Sequence, residues 1–412
     1  MRTTIHSEPA FFVGRASFLQ ELHELLQSTR RVAISAPAGV GKTAVAAAYV
    51  RRFAQVYEQV FYLRMTSMAG WLADSLELAE RLALAVSAEE PYPAGFNQVL
   101  QSWLTQHPQA LLIIDDVGSV AFPAVQEQTV AHVLFLTRKP VDDPSIAHLA
   151  LPALEAGEGA LLLLRQSGFL SADASLEQAD AQTAATARTL ADELAGLPLA
   201  LHLAGANMRV SGRSAQEFLS LYRQYVERLV LLKASRDKAT DALAITCSLP
   251  ARRLHQTHQV AAALLWLCAV LAPLPIPRAL FLRGASELTP DLQALADNPA
   301  LLDEALAQLS ALGLLLSDAE DQSVSLQMTV QETLCRAQAE EVRNSLVAHA
   351  LRAFIHVLPT LEEAAPAARL RVAAQILHLA GANMRVSGRS AQEFLSLYRQ
   401  YVERLVLLKA SR

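Results

Sequence analysis

Charge of either sign is scarce in this chain. Charged residues fill 18% of its 412 positions and the net charge is −5, so no basic field asks for nucleic acid or an anionic membrane. Aromatics are sparser still at 6%, yet 52% of the residues are hydrophobic. That balance excludes a disordered chain and predicts a mostly helical globular one. Cysteine occurs three times, as Cys247, Cys268 and Cys335. An odd count without short ligand spacing argues against a disulfide framework or a cysteine metal site, and predicts buried reduced thiols in a cytoplasmic protein. The opening "MRTTIHSEPAFF" lacks the charged-then-apolar order of a signal peptide. The most apolar window, "VAAALLWLCAVLAPLPIP" (260–277), is cut by Pro273, Pro275 and Pro277. Its helical part is about 13 residues where a bilayer needs about 20. A buried core helix is expected there, with no membrane partner.

What is present is an alternation of strand-like and helix-like runs over the first 150 residues. "RVAISA" (31–36), "QVFYLRM" (59–65), "ALLIID" (110–115), "HVLFLTR" (132–138) and "HLALP" (148–152) are apolar without alternation, the pattern of strands covered on both faces. Helical patterns, such as 42–56 and 70–86, lie between them. From about 155 onward the strand signals fade. Residues 158–236 read as helices broken at "AGLPLA" and "RVSGRS". A second helical unit spans about 240–345, with a hairpin expected over 312–330. The fold class predicted is an α/β domain with a parallel sheet, followed by helical domains.

The chemistry is concentrated at a few places. "ISAPAGVGKTAVA" (34–46) fits a phosphate-binding loop, with Ala36 at the usual first glycine position, then Gly41, Lys42 and Thr43. Small residues let backbone N–H groups curl around phosphate oxygens, and a helix beginning near Gly41 points its positive end at them. Lys42 would reach the β- and γ-phosphates and the Thr43 hydroxyl would ligate Mg²⁺. Gly39 and Gly41 free the backbone for the turn. "ALLIIDDV" (110–117) ends a strand in Asp115, placed to hold the metal, and Asp116, placed to orient or deprotonate a water. "FLTR" (135–138) offers Thr137 and Arg138 where a γ-phosphate sensor would stand, or simply a strand-end charge. "FVGR" (12–15) brings Arg15 within reach of a purine.

In this order and at these separations, "FVGR", "APAGVGKT", "LLIIDD", "FLTR" and "GLPLAL" (196–201) resemble the NB-ARC branch of the STAND P-loop NTPases. That group includes plant disease-resistance proteins, apoptosome-forming proteins and bacterial signalling regulators. The resemblance covers about residues 12–375. It implies that Val13 and Arg15 border the adenine of ATP or ADP, and that Ala36, Pro37, Ala38, Gly39, Val40, Gly41, Lys42, Thr43 and Ala44 hold the phosphates. It further implies that Thr43 and Asp115 take Mg²⁺, that Arg138 senses the γ-phosphate, and that Pro198 packs on the base. The domains implied are a nucleotide-binding α/β domain (1–155), a helical domain carrying "GLPLAL" (156–236), a winged-helix domain (237–345) and a helical linker (346–376). The family's winged helix usually offers a histidine to the β-phosphate of ADP; Gln327 stands at that position, able to donate a hydrogen bond but not to carry charge.

One feature falls outside the resemblance. Residues 201–236 recur without a change as 377–412. Packing tolerates divergence between structural repeats, so an exact copy points to a recent duplication or an artefact of the gene assembly. The function implied is an ATP/ADP-dependent signalling switch with slow hydrolysis, whose opened form associates with itself or a protein partner. Effector and sensor domains of that family are not found in these 412 residues. Two rivals remain: an AAA+-like DNA-associated ATPase or transcription activator, against which the acidic 291–313 segment argues, and a nucleotide-binding scaffold without turnover.

Overall fold

All five apolar runs form strands. The computed structural model of the chain describes residues 2–3, 11–65, 68–82, 84, 94–117, 129–232, 237–318, 322–357, 371–376 and 378–379. The second copy of the repeat, apart from positions 378 and 379, lies outside the described residues. So do Phe394, Tyr398, Tyr401, Leu405 and Leu408, whose spacing of three and four predicts one apolar helical face in that copy, as Phe218, Tyr222, Tyr225, Leu229 and Leu232 do in the first. The described chain divides into two units, residues 1–224 with 237–242, and residues 225–236 with 243–412.

The first unit is built on six parallel strands: β1 (Arg2–Thr3), β2 (Arg31–Ser35), β3 (Gln59–Arg64), β4 (Ala110–Val117), β5 (His132–Thr137) and β6 (Ala147–Ala150), in the spatial order β1-β3-β4-β5-β2-β6. β1 was not foreseen, because two residues carry no periodic signal. Helices α1 (Ala16–Thr29), α2 (Lys42–Arg52), α3 (Met68–Arg81) and α4 (Ala94–Leu104) are interleaved with the first five strands. The middle strands are buried along their apolar runs: Leu111, Leu112, Ile113, Val133 and Leu134 have no exposed surface. This is why their sequences run apolar without alternation. Four helices follow the sheet: α5 (Ala156–Ser167), α6 (Ala181–Glu193), α7 (Pro198–Ser211) and α8 (Ala215–Leu232). α5 packs on α6 and α7, and Gly159 leaves room for Ala191, whose Cβ would lie 2.8 Å from an added methyl group. On α8, Phe218, Leu219 and Tyr222 are buried, and the Tyr222 hydroxyl donates to the Glu193 carbonyl. Tyr225, the next residue at that spacing, is half-buried, beneath the guanidinium groups of Arg228 and Arg252. The side chains of Leu229 and Leu232 lie outside those described.

The second unit holds α9 (Lys238–Thr257) over most of its length, α10 (Gln259–Val270), α11 (Arg278–Arg283), α12 (Pro290–Gln293), α13 (Ala300–Ala311), α14 (Met328–Ala337) and α15 (Glu340–Val357). A small antiparallel sheet accompanies them, in the order β7 (Ile276–Pro277), β9 (Ser323–Leu326), β8 (Leu315–Asp318). The β8–β9 pair is the hairpin expected over 312–330. α10 is the predicted core helix; it is apolar all round and packs against α12, α13, α14 and α15. No described helix is long and apolar enough to cross a membrane. Cys247 and Cys268 are buried and their thiols are pushed up to about 12 by desolvation. Cys335, expected to be buried, is only half so. The chain end after α10 is closed by Gln375, which has no exposed surface: its Oε1 accepts from Ala272 N at 2.7 Å and its Nε2 donates to Ala272 O at 3.1 Å.

A buried polar chain links the first unit's layers. The Tyr49 hydroxyl lies 3.1 Å from His23 Nδ1 and 2.7 Å from the Tyr57 hydroxyl, which lies 2.9 Å from His132 Nδ1. Burial, with Arg30 adding to it, holds His132 at a pKa of about 4, against about 6.5 in an unfolded chain. A histidine whose folded pKa is depressed stabilises the fold fully above its unfolded pKa, and the contribution is lost as pH falls from about 6.5 towards 4. His202, also near 4 through burial, adds in the same direction. The urea midpoint should therefore fall between pH 7 and 4, with His132 accounting for about 2–3 kcal/mol. His132→Gln should flatten that fall; an unchanged pH profile in the variant would remove His132 as its source.

Candidate functional site

The carboxyl ends of β2, β4 and β5 meet at one place because β5 is inserted between the other two. The loop 36–41 leaves β2 there. Gly39 and Gly41 have φ of 82° and 94°, a left-handed backbone that side chains oppose. Gly41 caps α2, and the first helical residue is Lys42. Its Nζ donates to the loop's own carbonyls, Ala36 O at 2.7 Å and Pro37 O at 3.2 Å. Burial lowers its pKa, Asp115 opposes that, Arg138 adds to it and Asp116 opposes it again. Within the loop Ala36 and Val40 are buried, Ala38 is half-buried and Pro37 is exposed. Ala44, expected in the phosphate contacts, is half-buried in the first turn of α2.

Asp115 is hydrogen-bonded through both of its oxygens. Its Oδ2 accepts from the Thr43 hydroxyl at 2.7 Å and from the Tyr62 hydroxyl; its Oδ1 accepts from the backbone N–H of Asp116 at 2.7 Å. Tyr62 was not foreseen. It lies on β3, paired with Ile113 of β4, and the neighbouring pair is Leu63 with Ile114. Burial raises its pKa well above the ordinary value, and the Asp115 carboxylate raises it further, so it stands as a neutral donor. The end of β3 is fixed by Arg64, which clasps Asp74 of α3 through Nε at 3.0 Å and Nη2 at 2.9 Å.

The strand does not stop at Asp115, as the sequence suggested, but continues to Val117 through a bulge. Ile114 pairs with Phe135 and Val117 with Thr137, so Asp115 and Asp116 together face one residue of β5. Asp116 takes a φ of 58°, which aspartate tolerates better than most residues. Arg138 donates from Nε to Asp116 Oδ1 at 3.1 Å. Thr137, offered with Arg138 as a sensor, is fully buried and donates to Lys139 O at 2.6 Å. It pins the turn, and Arg138 alone reaches the site.

"FVGR" and "GLPLAL" also arrive here. Val13 is buried. Arg15 has a φ of 63° and donates from Nη2 to Val40 O at 2.8 Å and Pro152 O at 3.2 Å. Burial lowers its pKa to about 10, and Glu158 opposes the fall. Gly14 has a φ of 68°, a backbone that side chains oppose, and the Glu158 carboxylate lies over the place its Cβ would take. Pro198 begins α7, the position proline favours. Its Cγ lies 3.7 Å from where a Cβ on Gly41 would be, and Leu199 N donates to Gly39 O at 3.2 Å. The preceding Gly196 has a φ of 60° and admits no side chain, because a Cβ would meet Leu154 O at 2.2 Å. Gln327 is not part of this cluster's unit: it caps α14 in the second unit and is exposed. The oxygen donors of Thr43 and Asp115 are the ligand class of Mg²⁺, which takes one or two protein oxygens and completes its shell with phosphate and water. Among the described residues no group of three His, Cys, Asp or Glu forms a metal cage.

No protein-family model matches the chain, and no curated protein does. Among solved structures, a Signal Transduction ATPase with Numerous Domains (STAND) protein with a tetratricopeptide repeat sensor, from Pyrococcus horikoshii, matches 99% of this chain at 14% identity and a TM-score of 0.56. This chain spans 55% of that protein's length. A Walker-type ATPase of Pyrococcus abyssi matches 78% of this chain and 96% of its own at 10% identity and a TM-score of 0.37. Cdc6p of Pyrobaculum aerophilum matches 81% and 97% at 13% identity and 0.39; these two lie too far off to inform the fold. Sheet order, loop and the first of these likenesses agree: the chain has the α/β P-loop NTPase fold with helical domains.

Proposed function

We propose that this chain is an ATP/ADP-dependent signalling switch of the STAND type, with slow, regulatory hydrolysis. The observation that carries the reading is the convergence of Lys42, Thr43, Asp115, Asp116 and Arg138 at the ends of three strands. In this reading the loop amides and Lys42 bind phosphates, and Thr43 and Asp115 hold Mg²⁺, which would neutralise phosphate charge when bound. Asp116 orients the attacking water. Arg15, Val13 and Pro198 form the side of the site towards the base. The β7–β9–β8 sheet with its helices is read as the winged helix, and Gln327 as the residue in place of the family's ADP-contacting histidine.

A switch must dwell in each state. Steady-state turnover by the purified chain should lie well below the enzyme median of about 10 per second. A non-hydrolysable ATP analogue, but not ADP, should raise the mass seen by light scattering. Turnover at or above the median, with one mass under both nucleotides, would count against a switch and for an ordinary ATPase.

A further inference from the structure

Asp116 and Arg138 are each assigned a separate task in the reading above, yet they are bonded to each other. The contact is Nε to Oδ1 at 3.1 Å, with the side chains 34% and 19% exposed for Arg138 and Asp116, so the pair is partly shielded from water. The backbone prepares it. The bulge in β4 and the positive φ of Asp116 set the carboxylate, while its own N–H is spent on Asp115 Oδ1. The buried turn at Thr137 sets the arginine. Both charges act on Lys42, so the pair stands within electrostatic range of the lysine that faces phosphate.

An arginine in that place has two anions to choose between, one fixed and one that arrives with the nucleotide. Building on the nucleotide-switch reading, we propose that Asp116 competes with the γ-phosphate for Arg138, and that the Asp116–Arg138 pair thereby biases the site towards ADP. ADP lacks the γ-phosphate and leaves the pair intact. ATP must break it, so the free energy of the pair is subtracted from ATP binding alone. A ligand shifts a two-state equilibrium only by its difference in affinity for the two states, and here that difference is set by one carboxylate. The same exchange couples recognition to chemistry: when Arg138 moves to phosphate, its bond to the Asp116 carboxylate is released.

Asp116→Asn removes the charge and keeps the backbone, because asparagine also tolerates a left-handed φ. A non-hydrolysable ATP analogue should bind this variant about fivefold tighter, the scale of a partly exposed pair, with ADP affinity unchanged. Relief of plain repulsion between Asp116 and the γ-phosphate would give the same sign, so the cycle needs a second background. In Arg138→Ala the added Asp116→Asn should change analogue affinity no further. A fivefold gain that persists without Arg138 overturns the proposal, as does a gain shared equally by ADP, or no gain. A parent chain that binds neither nucleotide overturns the nucleotide reading itself and this proposal with it, an outcome distinct from each of the others.

Discussion

Lys42→Ala should weaken both ADP and ATP binding by about a hundredfold or more while leaving the fold intact. The ammonium is held over the loop by two carbonyls of that loop, 2.7 and 3.2 Å away. Exchange of those neutral acceptors for phosphate oxygens replaces neutral acceptors with charged ones. Hydrogen bonds to charged partners contribute about 1.5–3 kcal/mol each. Losing two such contacts with the charge itself accounts for the hundredfold. Stability should change little, because Lys42 is half-exposed and the loop carbonyls it leaves can turn to water. Lys42→Arg should not restore affinity: a planar fork of five donors does not fit where a compact point charge is cradled by a tight turn. Calorimetric titration of each variant with ADP, alongside its far-ultraviolet circular dichroism, gives the answer. Equal affinity in parent and Lys42→Ala would show that the loop does not hold phosphate.

Much of this site is legible in one dimension. The loop 36–43 and the apolar run before Asp115 each declare themselves within about ten residues, because glycine spacing and strand burial are local demands. Five of the six strands of the large sheet follow from the same reasoning. What escapes is whatever depends on register between strands. Tyr62 looks like an ordinary aromatic in "QVFYLRM"; only the parallel pairing of β3 with β4 brings its hydroxyl to Asp115. The bulge at Asp115 and Asp116 has no sequence mark, since an Asp-Asp at a strand end reads equally well as the entry to a turn. Glu158 is 144 positions from Gly14, and only the folded chain lays its carboxylate over that glycine.

Asp115→Asn should lower single-turnover hydrolysis by about two to three orders of magnitude, in the range that removal of one preorganised charge-stabilising group costs. ADP binding in the absence of Mg²⁺ should survive. Two effects of the substitution act together. The first is loss of the charge that would share the metal with Thr43. The second is a change in which atoms of the side chain donate and accept. The carboxylate accepts from two hydroxyls on Oδ2 and from the Asp116 N–H on Oδ1. An amide has one acceptor oxygen and one NH₂ group. If its oxygen faces Thr43 and Tyr62, the NH₂ meets the Asp116 N–H, and the bond that sets the Asp116 backbone is sacrificed. If its oxygen faces Asp116, the NH₂ donates to the two hydroxyl oxygens, which must turn their own protons elsewhere. In that second orientation a nitrogen with no free lone pair stands beside Thr43 where a ligating oxygen stood. Either way the oxygen pair offered to the metal is changed, whereas the loop that cradles phosphate is untouched. The measurement is ADP affinity with and without Mg²⁺, paired with quenched single-turnover hydrolysis. In the parent, Mg²⁺ should strengthen binding, and in Asp115→Asn that gain should disappear. A variant that keeps the full Mg²⁺ gain, or hydrolyses ATP within tenfold of the parent, would show that the metal is held elsewhere.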